Sequence, residues 1–570
     1  MNLIKKIIFI IDKNGVRTFS YILFLTIINT FFEVFSLAMI VPFMRSILDT
    51  NFFQDNLYAI SISNYFGIES YFEFVIFSIL AILSVYLIKT IFIQYFYYFK
   101  SFYLFDLIQK ISTRLFSTYL NQNLNFFEKF NSSYIIKNLT LEVERFSLGF
   151  VSHLMELITD TLIIIGILTL ILFLQPPGFV FIIISSIFII LTFVYATKNI
   201  LKDLGKKKSF EEKSKLNSIQ NGLAVRKEII LLSLQKLFIN FFKIFAGNSA
   251  KISAKEMIIS RSPRIWFEFL IVLILCTVCF SLILNEIPIN EIITLLSLYA
   301  ISAFRLIPSI NRLVSSYLQL RFNISVVDLL KIDLTLNIEE KKSKDHFEFN
   351  ELNFKNINFH YPAEKNLVIK ETDLLIKKGD KVTLIGKSGV GKSTFLSLTM
   401  GLLKPTSGQI FINGIEIHKP VHHHLKFSYV PQEIKIIENT ILFNITFKDT
   451  ISEDEKKKLK QIIKVCQLEK FIYTQKQDLF TKISESGSNI SAGQKQRLII
   501  ARSLFFEPDI LILDEATSAL DKDTEKNLLQ ELINEFKLTT IIFVTHKTEN
   551  LKYFSKNLNI EDKKVLKHSI

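Results

Sequence analysis

Six long apolar runs occupy the first part of the chain, at roughly 19–44, 71–99, 147–174, 178–197, 265–285 and 289–318. Runs of that length are membrane-span candidates, so the N-terminal part is expected to be a bundle of six transmembrane helices. Composition agrees. Hydrophobic residues make up 49% of 570 residues, mean hydropathy is +0.34, and there are 55 Phe. The Lys-bearing N-terminus leads into a span too long for the apolar core of a cleavable signal peptide, and none is expected.

Basic residues orient these spans. None occurs from Ser46 to Ile88, from Phe146 to Thr197, or from Ile265 to Phe304. The intervening loops, Lys100 to Arg145 and Lys198 to Arg264, are long and basic. By the positive-inside rule those loops and both chain ends face the cytosol. The hairpins at Gln175-Pro176-Pro177-Gly178 and around Pro288 then lie outside, with the segment from Leu48 to Ile68. That segment carries Phe52, Phe53, Leu57, Tyr58, Ile60 and Tyr65. It reads either as a membrane-surface helix or as a loop with aromatic anchors.

The formal net charge of +14 does not point to nucleic acid. Loops facing anionic lipid account for it, and no basic strip interleaved with aromatics stands out in a soluble region. His422-His423-His424 lacks spaced partner ligands and reads as a loop. Three cysteines, Cys276, Cys279 and Cys466, are too few for a disulfide framework.

The C-terminal part has a different pattern. The strand-like run Lys381 to Ile385 leads into Gly386-Lys387-Ser388-Gly389-Val390-Gly391-Lys392-Ser393-Thr394, and a helix-like run follows. Strand, glycine loop, helix is the context of a P-loop, whose backbone amides cradle phosphate oxygens at a helix N-terminus. Lys392 would reach the β- and γ-phosphates, and Ser393 would offer its hydroxyl to Mg²⁺. Downstream, the apolar run Ile510 to Leu513 ends in Asp514-Glu515. Asp514 is the expected Mg²⁺-binding acid, and Glu515 the group that polarises attacking water.

Between these motifs, Ile490-Ser491-Ala492-Gly493-Gln494 resembles the signature of the ATP-binding cassette (ABC) family. Other landmarks follow in the family's order. Tyr361 matches the aromatic loop that stacks on adenine, and Gln432 the Q-loop that also reaches the metal. Glu485 and Gly487 match the loop before an exporter's signature, Ser518-Ala519-Leu520-Asp521 the D-loop, and His546 the switch histidine. The resemblance implies an ATP- and Mg²⁺-dependent ATPase with Glu515, His546 and Gln432 as catalytic residues. Gly386 and Ser388 to Thr394 would form the phosphate cradle. Ser491, Gly493 and Gln494 would meet the nucleotide of a second copy. Ala492 stands where the family has glycine, and is expected to be tolerated. The implied architecture is an all-α six-helix transmembrane domain of ABC exporter type (1–325), a linker (326–348) and an α/β P-loop ATPase domain (349–570). The implied assembly is a homodimer with two equivalent ATP sites. Short coupling helices are expected near Ser132 to Leu139 and Gln220 to Leu231.

The substrate is less legible. Arg305 and Arg312, seven residues apart, share one face of the last span, and Arg264 sits at the mouth of the fifth. Arginine's planar fork suits phosphate, but interfacial anchoring fits the same spacing. The segments Phe32-Glu33-Val34, Val41-Pro42-Phe43, Ser262-Pro263-Arg264-Ile265 and Arg305 to Arg312 resemble flippases of the PglK/Wzk type. That resemblance implies a polyisoprenyl-pyrophosphate-linked oligosaccharide as cargo, with Arg264, Arg305 and Arg312 on the pyrophosphate, in a bacterial inner membrane. Two alternatives stay open: an exporter of peptides, lipids or hydrophobic drugs, and an ATP-gated regulator or channel. The orientation is testable. In right-side-out vesicles, a single cysteine placed near Asp55 should label from outside and one near Lys206 should not. The reverse pattern would overturn the topology.

Overall fold

A chain segment in lipid must satisfy its backbone polar groups internally, and the apolar runs do so as long helices. The computed structural model describes residues 3–48, 56–174, 179–284, 289–336, 348–361, 366–417, 425–484 and 487–567. The chain divides into two units, Met1–Ile338 and Glu339–Ile570.

The first unit runs α1 (Leu3–Ala38), α2 (Ile40–Leu48), α3 (Leu57–Phe66), α4 (Tyr71–Leu120), α5 (Leu124–Lys129), α6 (Ser132–Lys137), α7 (Ser152–Leu174), α8 (Phe179–Ala224), α9 (Arg226–Leu231), α10 (Gln235–Leu284) and α11 (Ile289–Leu334). Among the described residues, Leu3–Ala38, Tyr71–Leu120 and Ser132–Leu170 are long and apolar enough to cross a membrane. At 1.5 Å per residue the 50 residues of α4 span roughly 75 Å, far more than the ~30 Å hydrocarbon layer. Such helices project well past the membrane. Of the segment Leu48 to Ile68, residues 48 and 56–68 are described, and α3 is helical from Leu57 to Phe66. Residues 49–55, Glu485 and His422 to His424 lie outside the described residues. The two regions expected to hold coupling helices contain α6 and α9. No residue of α9 is buried.

Packing ties these helices together. Ile22 and Leu25 of α1, Leu107 and Leu115 of α4, and Val327 and Leu330 of α11 share one core. Leu330 and Leu334 are buried in it, which carries α11 past residue 326, where the sequence suggests a linker. A second core joins Leu201 of α8 to Phe267 of α10 and Leu318 of α11. Here α8 meets α11 through Gly205, whose hypothetical Cβ would lie 1.8 Å from the Phe322 carbonyl oxygen. Only a residue with no side chain permits that approach.

Charges inside the unit are paired between helices. Lys89 of α4 meets Glu33 of α1 at 2.7 Å and Ser36 at 3.1 Å. Lys100 of α4 meets Glu156 of α7 at 2.9 Å, and Ser316 of α11 donates to the same carboxylate. Arg312 of α11 donates to Asp160 Oδ1 of α7 through both Nε at 3.0 Å and Nη2 at 2.7 Å. A further polar knot lies beside the two π-helical stretches that precede α7. Asp333 accepts from Tyr119 at 2.5 Å, Tyr134 at 3.0 Å and Asn138 at 2.8 Å.

The second unit holds two sheets. Strands β1 (Glu351–Phe359), β2 (Ile369–Lys377), β4 (Ser407–Ile412) and β5 (Ile415–Glu416) form an antiparallel sheet in the order β2-β1-β4-β5. Strands β3 (Lys381–Ile385), β6 (Phe427–Val430), β7 (Ile510–Asp514), β8 (Thr540–Val544), β9 (Lys556–Glu561) and β10 (Lys564–Lys567) form the other, in the order β10-β9-β3-β8-β7-β6. Its centre is parallel. Every residue of β7 and β8 is buried. Alternate residues feed opposite cores: Leu511, Leu513, Ile541 and Phe543 one, and Ile510, Ile512, Ile542 and Val544 the other. That is the pattern of a parallel strand covered on both faces. The helices are α12 (Lys392–Met400), α13 (Ile441–Thr446), α14 (Glu453–Val465), α15 (Glu469–Tyr473), α16 (Ala492–Phe505) and α17 (Lys522–Glu535). Cys466 is buried and Cys276 exposed, both as free thiols.

Candidate functional site

Parallel pairing places the ends of β3, β6, β7 and β8 along one sheet edge. In register, Leu384 lies opposite Val544, Val544 opposite Asp514, and Leu513 opposite Val430. The residues that follow therefore emerge side by side: the Gly386 to Thr394 loop, Thr545-His546, Glu515, and Pro431-Gln432. A crevice at the carboxyl ends of parallel strands is where doubly wound folds bind ligands.

The loop from Gly386 to Gly391 is shaped by backbone torsions that need glycine. Gly386 has φ 149° and Gly391, which caps α12, has φ 110°. A Cβ on Gly391 would also press on Val368. Ser388, Gly389 and Ser393 are exposed, while Val390 is half-buried. Lys392 is buried, and its ammonium donates to the carbonyls of Gly386 at 2.8 Å and Lys387 at 3.1 Å. The loop thus presents a cation and an open, glycine-lined concavity at a helix N-terminus. That donor set fits a polyphosphate. Tyr361 is hydrogen-bonded through its hydroxyl to Thr394 Oγ1 at 3.1 Å, which holds its ring beside the same helix.

Glu515 occupies the left-handed region at φ 50°. Non-glycine residues take this conformation at a cost and mostly where the surroundings enforce it. Both carboxylate oxygens are held. Gln432 Nε2 donates to Oε2 at 2.8 Å, and His546 Nε2 lies 2.8 Å from Oε1. The three catalytic candidates thus form one constellation.

Asp514 is buried beside it, and Tyr429 donates its phenol to Asp514 Oδ2 at 3.0 Å. Burial pushes the Asp514 carboxyl above the usual carboxylate range. The Tyr429 hydrogen bond opposes the shift, the Glu515 charge adds to it, and the Lys392 charge opposes it. Burial, chiefly, raises the Tyr429 phenol.

The signature segment starts α16 with a capping box. Ser491 Oγ accepts from the Gln494 amide at 3.2 Å, and Gln494 Oε1 accepts from the Ser491 amide at 2.9 Å. Gly493 packs so close to the following loop that a Cβ would reach the Ala519 carbonyl at 3.3 Å. Ala492 is the first residue of α16 and is exposed, so its methyl needs no special backbone. Gln496 clamps the loop after β7, donating to Ser518 Oγ at 3.0 Å and accepting from the Ala519 amide at 2.9 Å. Buried Glu525 accepts from Thr517, Asn550 and Lys547, joining that loop to the one bearing His546.

Of the three arginines, Arg264 and Arg312 have described side chains, and each is paired with a carboxylate of the protein. Arg264 is exposed and pairs with Glu268 on its own helix at 2.9 Å. Arg312 is bound to Asp160, and the Arg305 side chain lies outside the described residues. Sequence reasoning missed Tyr429, Gln496 and Glu525, and also Lys89, Lys100, Glu156 and Asp160. The last four carried a signal, because each is an ionisable residue in or flanking an apolar helix.

Residues 369–518 match the family model described as ABC transporter. A putative export ATP-binding/permease protein of Rickettsia prowazekii (strain Madrid E) is 28% identical over 536 residues, covering 91% of this chain and 88% of the relative. An ATP-dependent lipid A-core flippase of Wigglesworthia glossinidia brevipalpis is 28% identical, covering 83% and 81%. Among solved structures, a bacterial Atm1-family ABC exporter with ATP bound superposes with a TM-score of 0.78 at 17% identity, over 97% of this chain and 95% of that one. The fold is that of an ABC exporter. Residues 369–518 form an ABC transporter ATP-binding domain, which implies ATP binding and hydrolysis coupled to transport.

Two outcomes follow from the constellation. Glu515→Gln keeps the contacts to Gln432 and His546 but loses the base. ATP binding should persist while turnover falls by roughly a hundredfold or more; an unchanged ATPase rate would remove Glu515 from the mechanism. Tyr429→Phe removes a donor that favours the charged form of Asp514. The acid limb of the ATPase pH profile should therefore move to higher pH. A limb that stays in place would show that Asp514 does not govern it.

Proposed function

We propose that this exporter chain forms a homodimer that flips a polyisoprenyl-pyrophosphate-linked oligosaccharide across a bacterial inner membrane. One helical unit and one ATPase unit make half of such a machine. Ser491 and Gln494 cap each other at the start of α16 and Gly493 packs on the loop after β7, and the family resemblance gives them a second copy's nucleotide as partner. ATP supplies the phosphoanhydride to be cleaved, and Ser393, Gln432 and Asp514 would hold a Mg²⁺ ion that would neutralise phosphate charge. Glu515 orients and deprotonates the attacking water. His546 and Gln432 hold Glu515 in its strained conformation, and Tyr361 supplies an aromatic face for the base. ATPase domain in the cytosol, basic loops inside and α3 outside is the orientation that the charge distribution supports.

The observation that carries the substrate reading is Arg312. Its guanidinium spends Nε and Nη2 on Asp160, yet its side chain remains 53% exposed against 3% for Asp160. Among the described residues Nη1 has no hydrogen-bond partner, which leaves it open to an anion. A charged head group is the cargo that such a group serves, with Arg305 and Arg264 as its companions. The relative that acts on lipid A-core adds a lipid-carried glycan as precedent. A second reading, export of peptides, other lipids or hydrophobic drugs, is favoured by the Arg264–Glu268 pair, which leaves that arginine already neutralised.

The test is ATP-dependent translocation of defined lipid-linked glycans in proteoliposomes. One charged hydrogen bond is worth about 1.5–3 kcal/mol. Arg305→Ala and Arg312→Ala should each slow flipping roughly tenfold or more while basal ATPase persists. Asp160→Asn should free the Arg312 fork and lower the glycan-lipid concentration that half-maximally stimulates ATPase. If both alanine variants flip at the wild-type rate, the arginines are interface anchors and the second reading stands.

A further inference from the structure

A cavity of about 630 Å³ lies in the helical unit, away from Arg312. Its walls are the first turns of α1, the stretch of α8 around Gly205, and α11 from Ile324 to Asp333. The acids in its lining are already engaged. Asp328 pairs with Lys6. Glu142 is held by Lys137 at 3.1 Å and Arg145 at 3.0 Å. Asp333 takes the three hydrogen bonds described above. Two cations are left. Lys202 and Lys206, one turn apart on α8, are exposed and line the cavity. Among the described residues neither has a carboxylate partner. Like charges at this spacing repel and are stabilised by an anion between them. In addition, Ser325 is a lining residue, and its Oγ is buried and has no hydrogen-bond partner. A buried hydroxyl left unpaired is unfavourable and marks a place for a ligand acceptor.

The mouth is amphipathic. Residues 3–11 of α1 precede a break at Asp12, where φ is 68° and ψ 163°. This short segment exposes Leu3, Ile4 and Ile8 beside Lys5 and Lys6. A segment of that kind lies along a membrane surface, with its apolar side in the acyl boundary. Leu3 and Lys6 themselves line the cavity.

We propose that this cavity binds the phosphate of an anionic glycerophospholipid from the adjoining leaflet. Lys202 and Lys206 hold the phosphate, Ser325 donates to it, and the acyl chains leave past Leu3 and Ile4. The lipid joins α1 to α8 and α11, and it is distinct from any transported cargo.

The full-length protein in detergent is examined by native mass spectrometry and thermal unfolding, with phosphatidylglycerol, phosphatidylcholine or glycerol 3-phosphate added. Wild type should retain one phosphatidylglycerol through delipidation and gain several degrees in Tm; phosphatidylcholine should do neither. The double variant Lys202→Gln/Lys206→Gln should lose both effects, while Lys202→Arg/Lys206→Arg should keep them. If the glutamine variant does not fold, Ser325→Ala decides the matter, with retention expected to fall several-fold. Protection by glycerol 3-phosphate equal to that by the lipid would assign the site to a free phosphate compound and overturn the lipid proposal. Equal phosphatidylglycerol retention by the wild type and the glutamine variant, or by wild type and Ser325→Ala, would overturn the site.

Discussion

Whatever this chain does to a phosphate depends on the register of four parallel strands. Leu384, Val544 and Asp514 form a continuous row across β3, β8 and β7, with Val430 completing it through Leu513. The loop from Gly386, His546, Glu515 and Gln432 each begin one or two residues beyond that row, and Asp514 stands in it. A slip of one residue in any pairing would turn every side chain of the strand to the opposite core. The two apolar cores therefore do more than stabilise the sheet. By accepting alternate residues of β7 and β8, they lock the register, and the register sets the distances from Glu515 to Gln432 and His546.

In the helical unit the corresponding constraint is charge. Lys89 and Lys100 are buried and Arg312 is half-exposed, and each is matched by a carboxylate on another helix. Such pairs recover the desolvation cost of two ions only with good geometry, so they contribute more to specificity than to stability. They dictate which helix faces which, where apolar packing alone would tolerate several rotations. Removing one member leaves its partner as an isolated ion, a far larger penalty than the pair's net contribution.

What could be read from the chain was local. The phosphate loop, the strand ending in Asp514-Glu515, and the capped signature at Ser491 are each written in consecutive residues, and the structure has them on the expected elements. The six apolar runs were legible for the same reason, since each becomes helical by its own composition, the first divided between α1 and α2. The pairings were not. Arg312 and Asp160 are separated by 152 positions and Tyr429 and Asp514 by 85. Neither spacing nor periodicity links residues so far apart. The seven-residue interval between Arg305 and Arg312 defines a helix face, but says nothing of a carboxylate waiting on α7. The strained torsion at Glu515 was equally invisible, because it is imposed by the residues that grip the side chain.

The contact at Gly205 has a mechanical consequence. With the backbone of α8 touching the Phe322 carbonyl of α11, neither helix can slide along or roll against the other without a main-chain collision. The two act as a single strut at that depth. Any relative movement of α8 and α11 at that depth requires the two backbones first to separate.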